Sequence, residues 1–434
     1  MEKSLWNQTC EMPEFRPLEQ NLRTDVLIVG GGLAGLLCAH QLKRVGVDCT
    51  VIEADRICSG VSGNTTAKIT SQHGLIYGKM LRRFGHEIAK GYWQANQEAI
   101  EAYRILAGDI DCGFEEKDNF LYAVSSTEKL EQELECLNQL RIPASFEEDL
   151  PIPVGTVGAI CFPHQAQFHP LKFAAGIASD LKIFEHTKAK EFVGNRVRTN
   201  RGTITAEKII IDPHFPMLNK HGAYYLKQYQ SRSYVLALQN APQVEGMYLG
   251  IDGAKLSFRN YGDCMILGGG GHRTGKRTEG WNQLENFVKI HYPDAEIVSR
   301  WAAQDCMTLD DIPYIGQYSP NTPNLYVATG FNKWGMTSSM VAAKLLADLV
   351  QGRGNPYEQI FCPDRSILRP QILCNAAESA VNLLTPTKPR CPHLGCALKW
   401  NRQEHSWDCP CHGSRFSERG ELLDNPATDD LKTE

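Results

Sequence analysis

Three observations predict an α/β fold for this chain of 434 residues. A strand–glycine–helix unit occupies residues 25–53, a second such unit occupies 325–352, and strand-like segments with their own turns lie between them. The expected architecture is a Rossmann-like nucleotide-binding domain, a mixed α+β domain threaded through it, and a small, shortened all-β module at the C-terminus. In the first unit the apolar run at 26–29 ends in Gly30-Gly31-Gly32-Leu33-Ala34-Gly35, a G-x-G-x-x-G pattern. Leu36, Leu37 and Leu42 then follow at helical spacing. Each glycine has a mechanical reason: Gly30 permits the tight turn off the strand, Gly32 lets backbone approach a pyrophosphate, and Gly35 lets the helix pack closely. The helix that opens at Leu33 and Ala34 offers free N–H groups to the phosphates. A second apolar run ends at Glu53, where a carboxylate can accept hydrogen bonds from a ribose.

Composition narrows the functional class. The formal charge of −5 gives no reason to expect nucleic acid or an acidic membrane surface as a partner. The N-terminus lacks the basic-then-apolar layout of a secretory signal, and no apolar run has the length of a membrane span, so a cytoplasmic location is expected. Most of the 15 cysteines are scattered and read as small buried side chains. Cys391, Cys396, Cys409 and Cys411 instead crowd together.

Along the chain, residues 1–24 form a polar lead-in, and a Gly/Ser/Thr-rich stretch containing Thr65 and Thr66 leaves the Glu53 strand. Helical periodicity runs through Ile76, Met80, Phe84, Ile88, Tyr92, Ala95, Ala99 and Tyr103. Residues 183–212 are expected to be hairpins returning to the nucleotide domain, and 220–300 further strands of a second sheet. Gly268 to Gly271 is expected to be a loop between strands. After NLYVATG, the segment Gly330 to Gly335 leads into Met336, Thr337 and a helix ending at Gly352.

The two glycine units and the DDIPYIG segment at 310–316 stand in an order that resembles the D-amino-acid oxidase-like FAD-dependent oxidoreductases, in the amine- and glycine-oxidase branch. The resemblance covers about residues 22–352. It implies FAD as cofactor, with Gly30, Gly32, Leu33, Ala34, Gly35, Glu53, Thr65 and Thr66 on its ADP and pyrophosphate side. Gly330, Gly335, Met336 and Thr337 would place a helix N-terminus at the pyrimidine end of the flavin, where negative charge develops on reduction. The implied chemistry is hydride removal from a carbon bearing nitrogen. Lys333 either holds the carboxylate of an amino-acid substrate or is a solvated loop lysine; His73 either faces the ring or is an ordinary hydrogen-bonded histidine. Trp301, Tyr314 and Trp334 line a pocket or pack the core, and Asp305 and Asp311 are open in the same way. The IIIDPH ending at Asp212 departs from the small residues of the family.

The C-terminal stretch has Cys391-x-His393, 15 intervening residues, then Cys409-x-x-His412, around an expected hairpin. It resembles the Rieske [2Fe–2S] proteins, which implies Cys391 and Cys409 on one iron and His393 and His412 on the other. The same resemblance implies a Cys396–Cys411 disulfide, a Ser414 hydroxyl that raises the cluster potential, and Phe416 in place of a second hydroxyl. Zinc or a metal-free loop is the alternative. Only about 25 residues separate Arg365 from Cys391, so the strands that usually precede the first cluster loop are expected to be largely missing. The module then either docks on the flavin domain for support or has an unstable or absent cluster. The expected division assigns 1–75, 161–215 and 301–352 to the FAD-binding domain and 76–160 and 216–300 to the substrate domain. A linker at 353–390, holding prolines and one short helical pattern at 374–384, and the Rieske-type module at 391–434 complete it. The expected function is oxidation of a small amine or amino acid, with electrons exchanged with an external partner. An oxygen-using oxidase with a degenerate module, and a redox carrier or sensor, are the alternatives.

Overall fold

The computed structural model describes residues 3–218 and 221–431. Leu22–Val29 is the central strand of the first sheet, flanked in parallel by Cys49–Ile52 and Thr203–Ile211. Leu325–Thr329 and Ile183–Phe184 extend it in parallel, and antiparallel Tyr314–Gln317 closes one edge. Parallel strands covered on both faces must be apolar throughout. This explains the unbroken runs at 26–29 and 209–211, all buried. Helices Leu33–Arg44 and Gly335–Val350 pack against each other on one face, bringing the N-termini of both glycine units to the same end of the sheet.

The second sheet has nine strands and is built on the long antiparallel pair Gln228–Gln239 and Glu296–Thr308. Gly158–Gln167 and Glu296–Thr308 run through the expected divisions at 160 and 300 and lie wholly in this sheet, and Lys68–Ile69 already belongs to it. Continuity of a hydrogen-bond ladder, rather than composition, decides where each strand goes. The glycines at 268–271 are not a loop but the middle of strand Cys264–Arg273. A Cβ on Gly269 would come within 2.9 Å of Leu256 and Leu284, so the bare backbone lets helix Trp281–His291 lie close on the strand.

The stripe from Ile76 to Tyr103 forms two helices, Tyr77–Phe84 and His86–Ala107, broken at Gly85, whose φ of 83° suits glycine. The lead-in is less polar than its composition: helix Leu5–Thr9 buries Trp6, whose Nε1 donates to the Thr65 carbonyl at 2.7 Å. The stretch expected as a linker carries a 15-residue helix, Pro370–Leu384. Beyond it, Lys399–Asn401, Ser406–Asp408, Arg415–Ser417 and Leu422–Asp424 form a four-stranded antiparallel sheet. Among the described residues no helix is long and apolar enough to cross a membrane.

Candidate active site and cluster site

A cavity of about 1280 Å³ opens between the two large sheets. Gly30, Gly32, Leu33 and Ala34 line one end, beside Glu53, Thr65 and Thr66; Gly330, Lys333, Gly335 and Met336 line the other, near His73. Gly35 and Thr337 lie off the cavity. A Cβ on Gly35 would stand 2.0 Å from the Gly30 carbonyl, so its role is close packing of helix on strand. A Cβ on Gly32 would meet only Ser62 Oγ, at 3.4 Å, and would otherwise project into the cavity. Glu53 accepts from the Gly31 N–H at 2.7 Å and the Asp55 N–H at 3.0 Å, and burial raises its pKa despite these bonds. At Asp212 burial pushes the carboxyl well above the usual range, against the pull of the Gly35 N–H. A carboxyl biased toward its neutral form is compatible with phosphates nearby.

At the other end, helix Gly335–Val350 begins without a side-chain cap, and Gly335 has nothing within 4 Å of where a Cβ would stand. Its first N–H groups and partial positive charge are therefore available to a ligand. Gly330, at φ 69°, cannot carry a side chain, because a Cβ would be 2.3 Å from Thr308. Lys333 Nζ donates to Ser233 Oγ at 2.7 Å and pairs with Asp305 at 3.1 Å. His73 is buried with both ring nitrogens engaged: Nε2 donates to the Thr70 carbonyl at 2.8 Å, so Nδ1 accepts from the Tyr92 hydroxyl at 2.6 Å. Burial lowers its pKa to about 3. The ring stacks on Trp334 at 4.8 Å and so fixes one cavity wall. Thr337 bonds the same Thr70 carbonyl at 3.1 Å. Trp301 and Tyr314 are buried away from the cavity, and Asp311 pairs with Lys79 at 3.0 Å on its rim.

The cysteine- and histidine-rich loops, 391–396 and 409–414, have matching internal bonds: Gly395 N donates to the Cys391 carbonyl and Gly413 N to the Cys409 carbonyl. Cys396 and Cys411 are joined as a disulfide. The thiols of Cys391 and Cys409 bond each other, which pulls Cys391 down to about 7 and pushes Cys409 up. The rings of His393 and His412 stand 5.0 Å apart at right angles. Burial lowers both, to about 4 and about 3, keeping them neutral as metal ligands must be. The Nδ1 atom of His412 is buried without a hydrogen-bond partner. Two thiols and two neutral imidazoles brought together in this way fit a Rieske [2Fe–2S] cluster. The sulfurs of Cys396, Cys409 and Cys411 also lie within 4.8 Å of one another, but the disulfide leaves only Cys409 of the three to bind metal. Ser414 is hydrogen-bonded to Cys391, and Phe416 is fully buried in the adjoining strand.

Residues 25–349 match the family described as FAD dependent oxidoreductase, and residues 379–433 match the Rieske [2Fe-2S] domain. The chain belongs to the D-amino-acid oxidase-like family of FAD-dependent oxidoreductases. Its cofactors are FAD and a Rieske [2Fe–2S] cluster. The "Putative Rieske 2Fe-2S iron-sulfur protein YhfW" of Bacillus subtilis (strain 168) is 35% identical over 99% of this chain and 97% of its own length. Gamma-glutamylputrescine oxidoreductase of Escherichia coli (strain K12) is 24% identical over 79% of this chain and 87% of its own. The crystal structure of glycine oxidase from Geobacillus kaustophilus superposes with a TM-score of 0.65 at 21% identity, covering 80% of this chain and all of that one.

The oxidoreductase holds its Rieske domain through residues that no motif singles out. Arg232 of the second sheet makes a bidentate ion pair with Glu404, and Glu404 also binds Arg415, which reaches Asp408 and Asp424. Burial alone would raise Glu404, but Arg232 and Arg415 hold it down at about 2. Gln230 donates to the carbonyls of His412 at 2.9 Å and Asn425 at 2.8 Å, and accepts from His214 at 2.8 Å. Gln304 donates to the Gly413 carbonyl at 2.9 Å, and Arg273 to the Pro410 and Cys411 carbonyls. These contacts tie the cluster loops and the C-terminal sheet to the second sheet. The signal in the sequence is that strand Gln228–Gln239 is polar in its first half and apolar in its second. Residues 422–428 of the Rieske domain form part of the cavity wall itself.

Proposed function

We propose that this FAD-dependent oxidoreductase oxidises a small amine or amino acid by hydride transfer to flavin N5 and exchanges the electrons with an outside partner through its Rieske cluster. The observation that carries this reading is the shared wall: residues 422–428 border the same cavity as the two glycine units. Bound FAD supplies the hydride acceptor and the cluster supplies a one-electron relay. The chain's own residues position and desolvate. The uncapped end of helix Gly335–Val350 favours negative charge beside Gly335 and Met336. Lys333, paired with Asp305, offers a cation to a substrate carboxylate and a carboxylate to its amine. His73 acts as a positioning residue for Trp334, since neither ring nitrogen is left to take a substrate proton. Gln230 ties the His412 loop to His214 in the cavity wall, holding the cluster loops in place.

The experiment is anaerobic purification followed by absorption and EPR spectra, with a panel of amines and amino acids that includes glycine and gamma-glutamylputrescine. A substrate that bleaches the flavin and develops a Rieske EPR signal in the same protein supports the reading. If no compound of the amine class bleaches the flavin, the reading fails. If a Cys391→Ser protein reoxidises in air as fast as the parent, the electrons go directly to oxygen instead.

A further inference from the structure

Helix Pro370–Leu384 is inside out. Its inward stripe is polar: Gln371, Asn375, Glu378 and Asn382, at spacings of a single helical face. Asn375 accepts from Arg273 at 2.8 Å, Glu378 pairs with Lys276 at 2.6 Å, and the Asn382 carbonyl accepts from Ala397 N at 2.9 Å. The opposite arc carries Leu373, Ala377, Ala380, Val381 and Leu384, all exposed, with Leu384 at 84% and Leu373 at 72%. Leu368 just before the helix is 82% exposed. An amphipathic helix of a water-surrounded domain buries its apolar arc; this one presents it.

The charges around the arc bear on what could cover it. At the N-terminal end Arg83 and Arg369 both lie over the ring of Phe84, at 5.7 and 5.4 Å. At the C-terminal end stand Lys388 and Arg390, the latter bonding the carbonyls of Leu383, Thr385 and Gly395. Between 365 and 390 the one carboxylate in the sequence is Glu378, turned inward. A second copy laid along the arc, in either direction, would bring cations against cations at both ends. An apolar stripe with basic residues at each end fits the headgroup boundary of an anionic phospholipid bilayer.

We infer that helix Pro370–Leu384 lies on an anionic membrane surface, with Leu368, Leu373, Val381 and Leu384 in the acyl boundary and Arg83, Arg369 and Arg390 at the headgroups. The helix then docks the protein without spanning the bilayer. Arg390 links the helix end to the 391–396 loop, so the cluster site sits next to that surface. The test is co-sedimentation of the full-length holoprotein with phosphatidylcholine vesicles, with and without phosphatidylglycerol, at low and high salt. Binding to the mixed vesicles, weakened by salt and reduced at least about tenfold by Leu373→Glu with Leu384→Glu, supports the inference. Circular dichroism and flavin absorption of the double variant must match the parent; if they do not, Leu384→Gln alone is used and must weaken binding in the same direction. Three outcomes overturn the inference: no binding to either vesicle, binding that the substitutions leave unchanged, or a dimer in solution that the same substitutions dissociate.

Discussion

Replacing Glu404 with glutamine should loosen the Rieske domain at neutral pH and have a shrinking effect in acid. Glu404 accepts from Arg232 Nε at 2.8 Å, Arg415 at 2.8 Å and the Tyr234 hydroxyl at 3.2 Å, and its side chain is 1% exposed. With so little solvent the charges are poorly screened, and the carboxylate is held at about 2 rather than its ordinary 4.5. A depressed carboxylate contributes stability that is fully present above 4.5 and is lost as pH falls through 2. The difference corresponds to about 3 kcal/mol, the lower end of what breaking a buried ion pair costs. Urea unfolding followed by the visible absorption of the cluster, and by tryptophan fluorescence in the metal-free protein, measures the loss. Wild type should exceed Glu404→Gln by about 3 kcal/mol near pH 7 and by about half of that near pH 3. Equal urea midpoints at neutral pH would refute the reasoning, as would a gap that acid does not narrow.

Other substitutions probe the cofactor sites. Cys396→Ser opens a disulfide with a sequence separation of 15, which should lower the stability of the oxidised Rieske domain by about 3 kcal/mol. Adding a thiol reductant should remove the difference between the two proteins in urea. Phe416→Tyr adds a hydroxyl in the buried strand beside Ser414, and one hydrogen bond favouring the reduced cluster by about 1 kcal/mol should raise its midpoint by about 40 mV. Voltammetry showing no shift would mean that the hydroxyl does not reach the cluster. Gly32→Val places two methyl groups in the pyrophosphate end of the cavity; the purified protein should contain less than about a tenth of the parent's FAD while its circular dichroism is unchanged. Full FAD occupancy would remove Gly32 from the phosphate contact.

Much of the fold is legible because local chemistry and burial agree. Residues 26–29, the glycine turn and the helix from Leu33 form one unit whose pattern needs no distant partner. The paired cluster loops are legible for the same reason, since their spacing reflects the reach of two short turns. Three features are hidden because they depend on distant neighbours. Whether the glycines at 268–271 form a loop or a strand depends on Leu284, which comes from a separate helix. The polar half of Gln228–Gln239 is shaped for a domain that begins more than 150 residues later, so in isolation it reads as a frayed strand. The apolar residues at 373–384 have a clear helical period, but periodicity cannot tell which arc faces the protein. His73 is the converse case: its neighbourhood is right, but Thr70 and Tyr92 already occupy both nitrogens.

The wall that residues 422–428 give to the cavity makes the order of synthesis matter. Leu22 pairs with Ile204, and Ile211 with Val327, so the nucleotide sheet closes only when most of the chain has left the ribosome. The glycine units are then complete while the last wall is still missing. On that order FAD is expected to load before the Rieske domain completes the wall. If the cofactor lies behind that wall, loss of FAD from the finished protein is expected to slow while the Arg232–Glu404 contact holds. The rate of flavin loss after dilution should follow the same pH and urea dependence as that ion pair.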